Sequence, residues 1–234
     1  MKALAKTKRK SFSTPAKNKM ELIDLSHSIE HGMITYKGLP APLICDYLSR
    51  EDSKKNYAAG TEFQIGKIEM VTNTGTYLDC PFHRYADGKD LSQINLEKLA
   101  ELDAVLIDAE NHQSIGKNFF EGRNLSGKAV LVLTGWSKHW RTDSYFENHP
   151  FLTTEAADYL VAQEVKLVGI DSHNIDDTRT NSRPVHSALL KNEILIVEHM
   201  TNLNLLKDKK FIFSAVPPKF VGVGTFPVRA FAKI

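Results

Sequence analysis

The chain has 234 residues, 42% hydrophobic and 25% charged, a globular balance that excludes a low-complexity or wholly disordered chain. No apolar run approaches the roughly 20 residues needed to cross a bilayer, so no membrane partner is expected. The net charge of +2 is uneven: residues 1–19 hold seven basic side chains and no acid, and removing those seven leaves a body of about −5, which argues against nucleic acid as the main partner.

Residues 1–20 are rich in Lys, Ser and Thr and lack the apolar stretch of a signal peptide, so they read as a basic, disordered leader. Residues 21–234 read as a single domain. Within it, Leu22-Ile23-Asp24-Leu25 is a short strand, followed by a loop carrying His27, His31, Gly32, Gly38 and Pro40. Residues 52–60 are polar and read as surface loop, and residues 63–72 as a strand with imperfect alternation. Strands and helices then alternate. Strands are expected at 104–108, 128–134, 165–171, 193–198, 211–216 and 227–232. Thr153 is a helix N-cap, with Glu155 and Asp158 in the first turns of a helix reaching Gln163. Pro184 opens a second helix that ends near Lys191. This is an α/β pattern with mixed strand directions. Cys45 and Cys80 make no disulfide framework, and a reducing cytoplasm is the simplest setting.

The densest chemistry lies in Thr72-Asn73-Thr74-Gly75-Thr76-Tyr77-Leu78-Asp79-Cys80-Pro81-Phe82-His83. Run as an extended chain, it puts Asn73, Tyr77, Asp79 and His83 on one face. Thr74, Thr76, Leu78, Cys80 and Phe82 fall on the other, where they suit packing. Gly75 admits a ligand or another backbone, and Pro81 should end the strand or mark an edge. Cys80, off the polar face, reads as a small buried hydrophobe. A second group is His186, on the first turn of its helix, with Glu198 ending the next strand. An apolar strand that closes on Glu198-His199 spends two costly residues at a point where they can converge. Asp79, His186 and Glu198 together make a fair ligand set for zinc or manganese. The structural alternatives are a hydrogen-bonded Asp79–His83 pair, a surface His186 at a helix terminus and a solvated Glu198. His27, His31, His173 and His199 read as loop or packing histidines, and His173, after Asp171 at a strand end, is the reserve ligand or substrate contact.

The 73–83 segment resembles the motif of the cyclase family, His-x-Gly-Thr-His-x-Asp-x-Pro-x-His, matching at Gly75, Thr76, Asp79, Pro81 and His83. The opening Asp24-Leu25-Ser26-His27, the Ala86-Asp87-Gly88 turn, Gly169-Ile170-Asp171, Pro227-Val228-Arg229-Ala230 and the His186-to-Glu198 spacing are similar too. The resemblance implies a swivelling β/β/α fold with a mixed sheet and a small β-barrel-like core, a homodimer or larger assembly, and metal-dependent hydrolysis as in bacterial kynurenine formamidases. It also implies two metals bridged by Asp79 and Glu198. Here Asn73 and Tyr77 stand where two ligand histidines belong, which leaves one divalent ion per chain on Asp79, His186 and Glu198.

The expected chemistry is cleavage of a small formamide, cyclic amide or lactone, with His83 as general acid and base. Tyr77 would hydrogen-bond the developing oxyanion, and Asn73 would orient substrate. The rival is a relative that has lost catalysis and only binds a small ligand, for which Asn73 and Tyr77 speak. Other motifs fail. Residues 122–128 lack the Ser or Thr of a P-loop, because Ala129 stands in its place. Gly222-Val223-Gly224 lies too late to open a dinucleotide fold. No Gly-x-Ser-x-Gly, Cys-x-x-Cys or His-Glu-x-x-His occurs.

Overall fold

A computed structural model describes residues 20–234; the expected basic leader lies outside these residues. In chain order the elements are β1 (Leu22–Asp24), β2 (Leu43–Leu48), α1 (Arg50–Asn56), β3 (Ile65–Glu69), β4 (Tyr77–Asp79), β5 (Leu102–Asp108), β6 (Ser114–Ile115), β7 (Ala129–Leu133), β8 (Phe151–Leu152), α2 (Thr154–Ala162), β9 (Leu167–Ile170), α3 (Pro184–Lys191), β10 (Leu195–Glu198), β11 (Phe211–Ser214), β12 (Thr225–Pro227) and β13 (Phe231–Lys233). No helix of the described residues is long and apolar enough to cross a membrane.

Nine strands form one sheet in the order β1-β13-β11-β5-β7-β9-β10-β4-β12. The middle run β5-β7-β9-β10 is parallel, and the flanking pairs are antiparallel. Covalent geometry forces this sheet to curl. β12 is one edge and β13 lies next to the other, yet Pro227 and Phe231 are only four residues apart. Four residues reach about 14 Å at most, whereas seven strand spacings in a flat sheet span about 33 Å. The curl also shows in the Thr201 N–H, which donates to the Leu25 carbonyl at 3.0 Å, joining the end of β1 to the chain leaving β10. The result is a mixed α/β fold around a curled nine-stranded half-barrel.

Side chains of β7 divide between two apolar layers. Ala129, Leu131 and Leu133 pack inside the curl with Leu78, Cys80, Val197 and Met200. Val130 and Val132 pack outside with Val168, Ile170 and the apolar stripes of α2 and α3, including Leu160, Val185 and Leu189. Burial on both faces explains why the central strands are continuously apolar in sequence. α2 begins as expected, with the Thr153 hydroxyl accepting from the Ala156 N–H at 3.2 Å.

Three local expectations change. Residues 50–56 are a helix, not loop: the Ser49 hydroxyl accepts from the Asp52 N–H at 3.1 Å, acids occupy the first turn and lysines the last. That helix buries only Ser53, so it has no apolar stripe for periodicity to detect. The single strand expected at 227–232 is two strands on distant sheet positions, β12 and β13, with an irregular link at 228–230 between them. Gly75 adopts φ +69°, and a Cβ there would stand 2.7 Å from Ile29; the space belongs to the Ile29 side chain, not to a ligand.

β4 is three residues long and is followed by a 3-10 turn at Pro81–His83. Gly224 packs against that turn, where an added Cβ would lie 2.6 Å from the His83 Cα. Gly224→Ala is therefore expected to cost about 1–3 kcal/mol by overpacking, read as a lower urea midpoint; an unchanged midpoint would mean that the turn yields freely.

Candidate functional site

Register builds the site. β4 lies between β10 and β12, pairing Tyr77 with Glu198 and Asp79 with Thr225. Tyr77 and Asp79 are two residues apart and share a face; Leu78 and Cys80 point into the core instead. The Tyr77 hydroxyl donates to Glu198 Oε2 at 2.6 Å, and the Ile175 N–H donates to Glu198 Oε1 at 2.6 Å. The Thr225 hydroxyl donates to Asp79 Oδ1 and lies 2.8 Å from His83 Nδ1. His186 projects from the first turn of α3, with Nε2 3.6 Å from Asp79 Oδ2 and 3.7 Å from Glu198 Oε1. Asp79, His83 and His186 each offer an atom within 4.8 Å of the others, a group able to hold a metal ion.

Asp176 supports this arrangement. Its carboxylate accepts the Val185 and His186 N–H groups at 2.7 and 3.0 Å, capping α3, and takes His186 Nδ1 at 2.6 Å. A carboxylate can only accept here, so Nδ1 donates and Nε2 turns toward Asp79 and Glu198. Ten residues separate Asp176 from His186, and no sequence periodicity links them; a carboxylate partner for a predicted ligand histidine was the available signal. Thr225 was equally hidden, because it lies 146 residues from Asp79.

Three buried carboxylates surround one imidazole. Burial alone would lower the His186 pKa, but Glu198, Asp176 and Asp79 overcome it and push it up to about 10. Burial and the Asp79 charge push Glu198 up to about 7. Burial opposes ionisation of Asp79 as well, but the His186 imidazole beside it, the charge of His83 and the Thr225 hydroxyl outweigh it and hold that carboxyl below its usual range. Burial and the Glu198 and Asp79 charges drive Tyr77 well above 10, so it stays a neutral phenol donating to Glu198. Asp79 Oδ2 is buried without a hydrogen-bond partner. A lone buried carboxylate oxygen is costly, and one beside two imidazoles fits a divalent cation.

A cleft of about 360 Å³ opens onto these groups and is lined also by Tyr36, Lys37, Asn73, Arg84, Asn174 and Arg183. His83 is the most accessible member, its side chain 34% exposed against 0% for Asp79. His173 does not line the cleft. It packs behind Tyr36, with ring centroids 4.6 Å apart, among Tyr145, Phe146, His149 and His199. Cys80 is fully buried, and burial pushes its thiol up to about 12.

The family described as "Putative cyclase" matches residues 23–177. The chain belongs to the cyclase family. It is 28% identical to a kynurenine formamidase of Bacillus cereus over 211 residues, covering 90% of this chain and 96% of that one. A kynurenine formamidase of Bacillus cytotoxicus is 30% identical over 210 residues, with 90% and 96% covered. Among solved structures, an isatin hydrolase bound to the product analogue thioisatinate superposes with a TM-score of 0.77 at 21% identity, covering 92% of this chain and 93% of that one. A potential metal-dependent hydrolase with cyclase activity gives 0.74 at 24% identity, covering 92% and 98%. These likenesses establish the shared fold of a cyclase-family protein.

The buried histidines His27 and His173 make stability depend on acid. Burial lowers His27 from 6.5 to about 4, and burial with the nearby His149 lowers His173 from 6.5 to about 3. The unfolded chain takes up both protons near pH 6.5, whereas the folded chain resists them. Their contribution to stability is therefore complete above pH 6.5 and lost as pH falls toward 4 and then 3. The urea midpoint should drop across that window, and His173→Phe should flatten part of the slope. An identical slope in the variant rejects the assignment.

Proposed function

We propose that this protein is a metal-dependent hydrolase of carbon–nitrogen bonds in small non-peptide amides, of the arylformamidase kind. The observation that carries the reading is the partnerless Asp79 Oδ2, buried 3.6 Å from His186 Nε2 at the base of an open cleft. Asp79 and His186 hold one divalent ion, zinc or manganese, with Glu198 completing the set. The names of the relatives support the amide class, since they are kynurenine formamidases. A divalent ion at this place supplies Lewis acidity toward a carbonyl oxygen.

The chain's own residues do the rest. His83 reaches the same spot yet keeps solvent access, which suits it to take a proton from an attacking water and return it to the leaving nitrogen. Asn73, on the cleft wall, orients the substrate. Tyr77 is engaged with Glu198; it holds that carboxylate in place of a second ion, so a single ion per chain is expected. The same substitution supports the rival reading, a cyclase-family protein that binds a small ligand without turning it over.

Metal analysis should find close to one ion per chain. Binding of Zn²⁺ to the metal-free protein at pH 7 should release about one to two protons, because His186 is protonated up to about 10 and Glu198, pushed up to about 7, is about half protonated there, and both must be deprotonated to bind the ion. Calorimetry in two buffers of different ionisation enthalpy measures this, and the absence of any uptake of metal rejects the reading. His83→Ala should keep the ion and lose turnover by roughly 100-fold or more, the range for lost acid–base catalysis. Loss of the ion in that variant would make His83 a ligand instead.

A homodimer is the accompanying proposal. The β2–β3 ribbon leaves Leu43, Ile44, Ile65 and Ile68 exposed, the kind of apolar surface that association covers. Light scattering that returns the mass of one chain removes it.

A further inference from the structure

A histidine has two distinct ring nitrogens, and the neighbour of one decides which of them carries the proton. For His83 that neighbour is Thr225. The backbone of β12 comes close to the turn that bears His83: the Cys80 N–H donates to the Gly224 carbonyl at 2.8 Å, and a Cβ at Gly224 would collide with the His83 amide nitrogen. The next residue, Thr225, is paired with Asp79 across the β4–β12 ladder, and it is 2% exposed. Its hydroxyl donates to Asp79 Oδ1, and the same oxygen lies 2.8 Å from His83 Nδ1. Nδ1 itself is 3.6 Å from Asp79 Oδ1, too far for a hydrogen bond, so the hydroxyl links the two.

A hydroxyl has one proton to donate. Asp79, with the imidazoles of His83 and His186 3.6 Å away on either oxygen, is an ionised carboxylate and only accepts. The Thr225 proton is therefore committed to Asp79. What remains on Oγ1 is a lone pair, so Nδ1 must be the donor in the second bond. Neutral His83 then carries its proton on Nδ1 and its lone pair on Nε2, which has no hydrogen-bond partner among the described residues. Branching at Cβ restricts the rotamers of Thr225, which keeps the hydroxyl between its two partners. A catalytic triad holds its histidine with a carboxylate alone; here a hydroxyl stands between carboxylate and imidazole.

We infer that Thr225 is a positioning residue for the acid–base step: tied to Asp79, it fixes the His83 tautomer that leaves Nε2 free for the reacting proton. This inference rests on the role proposed for His83 in amide hydrolysis. As the oxygen of the attacking water bonds to the carbonyl carbon, its proton goes to Nε2. That proton passes to the leaving nitrogen when the carbon–nitrogen bond breaks. The protons on Nδ1 and on the Thr225 hydroxyl stay in place throughout.

The test reads the tautomer directly. Nitrogen NMR of the His83 ring in the zinc-loaded protein, at about pH 8 and so above the ordinary imidazole range, should show the proton on Nδ1; the signals are assigned by their loss in His83→Gln. Thr225→Val removes the hydroxyl and keeps the branched shape. It should retain the ion and lose the Nδ1 preference. On the best substrate of a formanilide and lactam panel its kcat should fall roughly tenfold to a hundredfold with KM little changed, the range for removing a partner that orients a site histidine. Thr225→Ser should keep the proton on Nδ1 and recover most of kcat. If the valine variant does not fold, Thr225→Ala takes its place with the same expectations. A proton on Nε2 in the wild type overturns the inference, as does a valine variant with the wild-type tautomer or with unaltered kcat. Loss of the ion in that variant assigns Thr225 to the support of Asp79 and also overturns it. If the wild type takes up no zinc or turns over no member of the panel, the hydrolase reading fails, and the tautomers of wild type and valine variant decide alone whether Thr225 sets the ring.

Discussion

The pairing of β4 between β10 and β12 is the constraint on which the site depends. It sets Tyr77 opposite Glu198 and Asp79 opposite Thr225, and the hydroxyls of Tyr77 and Thr225 then bond to the carboxylates beside them. Side chains alternate along a strand, so a slip of one residue would send Asp79 and Tyr77 into the apolar interior and turn Leu78 and Cys80 to the cleft. The two cores hold the register: Leu78 and Cys80 pack inside the curl, while Ile196, paired with Asp79, packs outside with α3.

Charge gathered at low accessibility is the second theme. Asp79, Asp176 and Glu198 are each buried, and a folded chain carries such groups only when each is hydrogen-bonded or neutralised. Asp176 is fully used by α3 and His186. Glu198 is used by Tyr77 and Ile175. The one unspent oxygen belongs to Asp79, which locates the unmet electrostatic demand at a single atom. Tyr77 is instructive here. Where the family motif has a histidine, the Tyr77 phenol supplies a hydrogen-bond donor, so the neighbouring carboxylate stays satisfied at no cost in charge.

Much of this was legible beforehand because it depends on local rules. Continuous apolar runs marked β7, β9 and β10; Thr153 and Pro184 marked the starts of α2 and α3; and the alternation of residues 77–80 separated site from core. Asp79, His83, His186 and Glu198 do come together. What escaped depends on tertiary closure. Asp176 and Thr225 reach the site only through loops and sheet order, α1 forms without an apolar face, and β12 and β13 read as one strand because only the curl separates them. His173 follows a strand end as a ligand might, but the backbone carries it behind Tyr36 into an aromatic layer.

The short link from Pro227 to Phe231, which draws the two margins of the sheet together, has a consequence for biosynthesis. β12 and β13 leave the ribosome after the other seven strands of the sheet. Until they emerge, β4 has one open margin, Asp79 has no hydroxyl beside it, and the turn bearing His83 has nothing to rest on. The nascent polypeptide therefore extends through those seven strands with this pocket unassembled, and a message truncated before Thr225 yields a product with an unpaired strand and an unsupported acid, a species suited to capture by chaperones rather than to chemistry.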